Sequence, residues 1–219
     1  MKKIVVIDGG PRKNMNTAAV IRAFADGVGS VGKEIEVKVV RLYELNYKGC
    51  VSCLACKVKG SKSRDVCAHK DDLTDVLRES AYADGLLMAS PIYFSQITAQ
   101  LRAYIERLIF PWLSYNDYSV TPPKRIPTAV IYTMNLTEDR ADMIRPNQEH
   151  TEGLISMALE KPERIEVFNT LQVKNYTLYD MAGFSVPDKM NWHELHWTTD
   201  LQNAADAGRR MAERIINNQ

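Results

Sequence analysis

Short apolar segments alternate with amphipathic ones along the chain, and this alternation constrains the fold more than any other feature. Segments typical of strands fall at residues 4–7, 35–42, 85–90, 128–133 and 171–178. Helical spacing of apolar residues follows at 20–28, 71–77, 97–109, 148–160 and 201–215. Strands that alternate with helices indicate a mostly parallel sheet covered on both faces. We therefore expect an α/β fold of three layers, with helices on both sides of five strands.

The length and composition favour a single domain. A chain of 219 residues with 45% hydrophobic composition is long enough for one well-buried domain and short for two. The sequence contains no internal repeat and no convincing domain boundary. We expect residues 1–219 to form one domain, with a Cys-rich loop at 46–70.

The overall charge argues against nucleic acid and membrane partners. The 28 basic side chains nearly cancel the 27 acidic ones, so no strong net field attracts a polyanion. The apolar run before Asp8 has only four residues, 4–7, too few for a signal peptide, and no apolar run approaches the length of a membrane span. We expect a cytoplasmic protein that binds neither nucleic acid nor membranes.

The loop after the first predicted strand has the residues of a phosphate site. Ligands of open parallel sheets bind at the carboxyl ends of the strands, and this loop runs from Asp8 directly into a helix. Its glycines permit unusual backbone angles, and Arg12, Asn16 and Thr17 add side-chain donors to the free amides of the helix start. A polar helix start is also a common helix cap. Spacing alone therefore leaves a phosphate site and a plain cap as alternatives.

Two sequence blocks resemble the NADPH-dependent FMN reductase-like family of flavodoxin-fold proteins. Residues 10–17, GPRKNMNT, resemble the family's phosphate loop, although Gly10 stands where many relatives carry serine. Residues 83–95, ADGLLMASPIYFS, and residues 100–108, QLRAYIERL, are similar to its third strand, flavin loop and following helix. The resemblance runs from the first residue to about Pro111 and weakens beyond it. It implies a flavodoxin-like, doubly wound parallel sheet of order 2-1-3-4-5, FMN as cofactor, and a homodimer or homotetramer.

The resemblance also implies which residues contact FMN. The phosphate contacts would come from Gly10, Arg12, Asn14, Asn16 and Thr17. The ring contacts would come from Pro91, Ile92, Tyr93, Phe94 and Ser95 on one side and from Thr133, Met134 and Asn135 on the other. Tyr93 and Phe94 would serve equally well as core or subunit-contact aromatics. Because the flavin itself transfers the electrons, no catalytic side chain is predicted.

All four cysteines lie between residues 50 and 67. Cys50, Cys53 and Cys56 have the spacing that lets three thiolates bind an iron-sulfur cube, with Cys67 as fourth ligand. This pattern resembles the iron-sulfur flavoproteins of the same family and implies a 4Fe-4S cluster that passes electrons to FMN. Ten residues separate Cys56 from Cys67, however, which is longer than the usual spacing of that group. Zinc bound by four thiolates and a loop of free thiols remain open as alternatives.

Together these patterns predict an FMN-binding oxidoreductase that moves electrons from NAD(P)H or a reduced redox protein to an acceptor. One alternative is an iron-sulfur flavoprotein that carries electrons without NAD(P)H activity, for which a ferredoxin-type partner would be suitable. The other is a non-catalytic, zinc-clasped binding module. Nothing in the residues selects the electron donor.

Two further patterns are interpreted as structural. Residues 27–32 fit the G-x-G-x-x-G pattern, but they end a predicted helix and precede a strand, the reverse of a dinucleotide-binding loop. Residues 193–196, HELH, lack one residue of a zinc-protease motif, and we expect them in a surface or subunit-contact loop.

Overall fold

The computed structural model describes residues 1–217, which form a five-stranded parallel sheet with helices on both faces. The strands are β1 (Lys2–Asp8), β2 (Ile35–Arg41), β3 (Gly85–Pro91), β4 (Thr128–Thr133) and β5 (Glu163–Val167). The helices are α1 (Asn16–Val31), α2 (Leu73–Ala81), α3 (Ala99–Ile109), α4 (Arg145–Ala158) and α5 (Val186–Asn217). The strand order is β2-β1-β3-β4-β5, and every neighbouring pair is parallel. The predicted flavodoxin-like topology is confirmed.

The central strands are apolar throughout because both faces of the sheet are buried. Successive side chains of a strand point to opposite faces. In β1, Val5 and Ile7 pack with α2, α3 and α4, whereas Ile4 and Val6 pack with α1 and α5. All four side chains are fully buried, so a continuous apolar run replaces the alternation of a one-sided sheet.

The fifth strand was predicted at the wrong place. It is formed by Glu163–Val167, where only Ile165 and Val167 are buried, as expected of an edge strand. Residues 171–178 form a connection that ends in a 3-10 turn at Tyr176–Leu178. Two carbonyls of that connection accept hydrogen bonds from side chains of the β1–α1 loop, so its backbone is paired without joining the sheet.

Helix α5 begins well before the predicted residue 201. Residues 193–196 are therefore helical, and their prediction as a loop is wrong. Trp192 stacks on His196 with ring centroids 3.9 Å apart, and His193 lies 4.9 Å from Trp197. Both pairs have the i, i+4 spacing of neighbours on one helix face. Within residues 1–217, no helix has the length and apolar composition needed to cross a membrane.

Helices α1 and α5 touch through two glycines. A Cβ atom on Gly27 would lie 1.8 Å from the carbonyl oxygen of Ala205, and one on Gly208 would lie 2.0 Å from that of Phe24. No side chain fits at these distances, so the two backbones meet only because both positions are glycine. The segment 27–32 does close α1, which ends at Val31, but Gly27 belongs to the helix and has a packing role.

We predict that Gly27→Ala will lower the free energy of unfolding by about 3 kcal/mol or more, because the added methyl group must separate two helices. The matched control is Gly29→Ala on the same helix, where a Cβ would meet no atom within 4 Å. That change should raise stability by up to about 1 kcal/mol through helix propensity. Urea unfolding monitored by circular dichroism measures both, and equal effects would contradict the described contact.

Candidate functional site

A cleft of about 600 Å³ lies at the carboxyl ends of β1, β3 and β4. Parallel strands end at the same edge of a sheet, so loops far apart in sequence meet there. The cleft brings together most of the residues predicted to contact a cofactor: Gly10, Arg12, Asn16, Thr17, Pro91, Ile92, Tyr93, Phe94, Thr133, Met134 and Asn135. Asn14 and Ser95 lie outside its lining: Asn14 is exposed, and the Ser95 carbonyl accepts a hydrogen bond from Asn147.

The amino end of α1 opens into this cleft without a side-chain cap. Met15 occupies the cap position. Its side chain makes no hydrogen bond to the first free amides of the helix. The first turn also contains no acidic residue. The sequence left a phosphate site and a plain helix cap as alternatives, and the plain cap is not formed. Free amides and the helix dipole instead face the cleft, where they favour an anion.

The bend that leads into α1 is fixed by a buried carboxylate. Asp8 Oδ1 accepts from the Gly10 amide at 2.8 Å, and its Oδ2 accepts from Arg41 Nη1 at 2.9 Å. Burial raises the pKa of Asp8, although the Gly10 amide and the Arg41 guanidinium favour its charged form. Gly9 is required by close approach: a Cβ there would lie 2.9 Å from the Ala89 carbonyl of β3. The loop is thus held in place before any ligand binds.

Three consecutive carbonyls after β5 accept hydrogen bonds from three different side chains. Lys189 Nζ donates to Thr170 at 3.0 Å, Asn16 Nδ2 to Leu171 at 2.7 Å, and Arg12 Nη1 to Gln172 at 2.5 Å. Thr170 in turn donates its amide and hydroxyl to the Met134 carbonyl of the β4 loop. We call residues 169–172 the β5 strap. The strap joins α5, the β1–α1 loop and the β4 loop at one end of the cleft.

Lys189, on the first turn of α5, is buried with 1% of its surface exposed. Its ammonium also donates to Asn169 Oδ1 at 2.6 Å, and it lies 5.1 Å from the centre of the Phe184 ring. These neighbours are neutral, and within residues 1–217 no carboxylate pairs with Lys189. Burial consequently lowers the pKa of Lys189 to about 8.

The loop after β3 has an unusual backbone beside the cleft. Phe94 and Ser95 have φ angles of 49° and 64°, a left-handed conformation that costs energy in residues other than glycine. Paired hydrogen bonds between Tyr93 and Gln96 close this turn. The Phe94 side chain is fully exposed to solvent. A strained turn that displays an aromatic ring is typical of a surface that contacts a ligand or a second molecule.

Several residues of the cleft were missed by the sequence analysis. They are Pro11, Met15, Tyr43, Ile97, Thr98, Ala99, Gln100, Thr170 and Gln172. Thr98 had a local signal, since its hydroxyl caps α3 by accepting from the Leu101 amide. Thr170 and Gln172 had none, because the fifth strand was expected to occupy their part of the chain.

A second, small cavity is lined by all four cysteines. Cys50 and Cys53 are exposed, Cys67 is half-buried, and Cys56 is buried. Burial raises the pKa of the Cys56 thiol. Within residues 1–217, no three His, Cys, Asp or Glu side chains converge closely enough to share one metal ion.

Two cations hold the Cys-rich loop against α3. The Arg107 side chain is fully buried and donates to the carbonyls of Lys48 and His69 and to Asp71 Oδ2. It also lines the cysteine cavity, and its Nε is buried without a hydrogen-bond partner within residues 1–217. Lys57 Nζ donates to carbonyls that follow α3, at Phe110 and Leu113. The loop that carries the cysteines is therefore fixed to α3 by hydrogen bonds from Arg107 and Lys57.

Comparison with known proteins gives matches in sequence and in fold. A family model described as NADPH-dependent FMN reductase matches residues 2–125. An iron-sulfur flavoprotein of Methanocaldococcus jannaschii is 30% identical over 105 residues, which cover 48% of this chain and 51% of the relative. One of Archaeoglobus fulgidus is 33% identical over 105 residues, covering 48% of each. The chain thus spans about half the length of the curated relatives it matches.

Among solved structures, an azoreductase of Bacillus anthracis has a TM-score of 0.71 at 14% identity, covering 96% of this chain and 100% of that one. An FMN-dependent NADH-azoreductase of the same species, solved with FMN, has a TM-score of 0.63 at 12% identity and covers 98% and 99%. An NAD(P)H:quinone oxidoreductase of Methanothermobacter marburgensis has a TM-score of 0.67 at 14% identity and covers 95% and 98%. These likenesses show a common fold.

We predict that Lys189 makes the free energy of unfolding rise between about pH 8 and 10. The pKa of Lys189 is about 8 in the folded state and near 10.5 in the unfolded chain, so the unfolded chain binds more protons between these values. The free energy of unfolding therefore rises with pH in this range. The contribution is about 3 kcal/mol at most. Urea unfolding of the wild type and Lys189→Met at each pH isolates it, and parallel curves would contradict the prediction.

Proposed function

The chain belongs to the NADPH-dependent FMN reductase family, and from this premise we propose that it is an oxidoreductase that binds FMN in the cleft at the carboxyl ends of β1, β3 and β4. The single observation that carries the proposal is the uncapped amino end of α1 at one side of that cleft. The cleft volume of about 600 Å³ is in the range of cofactor sites.

The phosphate end of the proposed site lies between the β1–α1 loop and the β5 strap. Phosphate oxygens would accept from the first amides of α1 and from Thr17, whose hydroxyl lies 2.7 Å from that of Thr133. Arg12 carries five N–H groups, so its bond to the strap leaves others for the phosphate. Gly10 lacks the hydroxyl of many relatives, and the remaining donors compensate for it. The exposed Asn14 is the weakest member of the predicted set.

The ring end of the proposed site lies between the loops after β3 and β4. Pro91, Ile92, Tyr93 and Phe94 would cover one side of the isoalloxazine, and Met134 and Asn135 would approach the other. When bound, the flavin supplies the electron transfer itself, and these loops orient the ring and limit its contact with water. The Ile92 amide already donates to the Thr133 carbonyl, so the two loops are fixed relative to each other.

NAD(P)H is the proposed electron donor. The family description names NADPH, and two structural neighbours carry NADH or NAD(P)H in their names. Nothing in the cleft selects between the two nucleotides or identifies the acceptor. A cytoplasmic location and a homodimeric or homotetrameric assembly are further proposals from the family resemblance.

A second candidate function is favoured by the cysteine cavity. Curated relatives are named iron-sulfur flavoproteins, and here all four thiols line one cavity. Thiols are suitable ligands for a 4Fe-4S cluster, which binds each at a separate iron. Arg107, whose buried Nε has no hydrogen-bond partner among the described residues, lines the same cavity. In this candidate the chain passes single electrons through a cluster to FMN.

The surface around the cysteines supports a ferredoxin-type partner for that candidate. Of the chain's 28 basic and 27 acidic side chains, six basic and one acidic fall in residues 46–70, which leaves 22 basic and 26 acidic elsewhere. Five of the six cations are exposed, at Lys48, Lys59, Lys62, Arg64 and Lys70. The near-neutral total thus conceals a basic surface beside the cysteines, which attracts an acidic redox protein.

We predict that Thr17→Glu will abolish FMN binding, because a carboxylate at the phosphate end adds steric and like-charge repulsion. Ser30→Glu is the matched control: it places the same charge at an exposed position of the same helix, at the end away from the cleft. Quenching of flavin fluorescence on titration with each refolded apoprotein measures affinity. Unchanged affinity of the Thr17 variant, or equal loss in both, would contradict the proposed phosphate position.

We predict that Cys53→Ser will remove iron and labile sulfide from anaerobically purified protein while leaving FMN content unchanged, since the two cavities are separate. Ser52→Ala is the neighbouring control.

Bleaching of the flavin by NAD(P)H alone supports the reductase, whereas bleaching only by a reduced ferredoxin supports the electron carrier. Wild-type protein that is yellow but free of iron would exclude the second candidate, and colourless protein with one zinc would support a binding module instead.

A further inference from the structure

Three donors meet the β5 strap, and one of them differs from the others in its surroundings. Arg12 is exposed and Asn16 is half-buried, so water can solvate the polar groups of both side chains. Lys189 is buried, and its only hydrogen-bond acceptors among residues 1–217 are the Asn169 side chain and the Thr170 carbonyl. A buried ammonium with only neutral acceptors is costly, and proteins retain one where an anion compensates it or where it serves a function.

The strap depends on Lys189 for its conformation. Asn169 has a φ of 48°, a left-handed angle that requires support from its surroundings. The Lys189 ammonium supplies that support by donating to the Asn169 side chain. It also donates to the carbonyl of the next residue, Thr170, and Gln172 Nε2 donates to the same oxygen at 2.9 Å. The carbonyls of the next two residues, Leu171 and Gln172, accept hydrogen bonds from Asn16 and Arg12. Lys189 therefore acts on the phosphate end of the cleft through one short segment.

We propose that Lys189 is a positioning residue for the cofactor: its buried ammonium fixes the β5 strap, the strap orients Arg12 and Asn16, and a bound phosphate supplies the anion that the ammonium lacks. This inference rests on the proposed FMN site. It adds a charge from a helix that has no residue in the cleft lining, connected to the lining through the Thr170 carbonyl.

The proposal predicts proton uptake when the phosphate binds. Among residues 1–217, burial is the cause of the lowered pKa of Lys189, and the nearest titratable side chain one turn along its helix is His193, at position i+4. A dianion nearby favours the charged lysine and raises that pKa. Near pH 8, where part of the population is neutral, FMN binding should therefore take up protons from the buffer.

Comparison of FMN with riboflavin separates a charge effect from a structural one, because riboflavin has the same ring and no phosphate. We expect Lys189→Met and Lys189→Gln to weaken FMN binding at least tenfold more than riboflavin binding. Glutamine retains a hydrogen-bond donor without the charge, so it keeps the strap folded if methionine does not. Lys174→Met, an exposed lysine of the same connection, should leave both affinities unchanged.

Isothermal titration in two buffers of different ionisation enthalpy measures the proton uptake. At pH 8, where the phosphate of free FMN is already a dianion, wild-type protein should take up a fraction of a proton per FMN and almost none per riboflavin, and Lys189→Gln should lose the uptake with FMN. Equal losses of FMN and riboflavin affinity, or uptake that persists in the variant, would overturn the proposal. If wild-type protein binds neither flavin, the FMN site itself is wrong, a result distinct from failure of the Lys189 assignment.

Discussion

Burial of the sheet on both faces is the constraint on which the rest of the structure depends. Because β1 and β3 are covered by helices on either side, polar groups needed for binding have no place along the strands. They collect where the strands end, and the parallel arrangement puts all those ends at one edge. The cleft is thus a consequence of the same burial that makes the strands apolar, and the glycine contact between α1 and α5 keeps one of the covering layers close.

Cations that bind backbone carbonyls are a recurring means of holding loops in this protein. Lys189 holds the β5 strap, Lys57 binds carbonyls after α3, and Arg107 binds carbonyls at both ends of the Cys-rich loop. Carbonyl oxygens satisfy a cation's donors without cancelling its charge. Lys189 thus fixes a loop beside the cleft and keeps its charge, whereas Arg107, which lines the cysteine cavity, is also paired with Asp71. Both cavities are predicted to hold groups of negative charge, a phosphate in one and thiolates in the other.

The sequence predicted those parts of the candidate site that have strong local signals. The loop at residues 10–17 follows a buried strand and opens a helix, so its position in the βα pattern marked it as a candidate phosphate site. Residues 91–95 were predicted to contact the ring through the family resemblance. The strap was missed because Glu163–Val167, an edge strand with charged positions, resembles a strand less than residues 171–178 do. Two of its partners, Arg12 and Asn16, lie 160 and 155 residues away in sequence, so local composition does not reveal the contact.

By itself the sequence determined the fold class, the strand order through its family resemblance, and the ends of the strands at which ligands bind. Those properties follow from periodicity and from short motifs, which are local. Only the tertiary structure decided that α1 has no side-chain cap, that the four cysteines share a cavity without converging on one ion, and that Lys189 is buried without a carboxylate. Each of these depends on which distant groups come into contact and on how much water is excluded, and neither quantity is encoded in the spacing of residues along the chain.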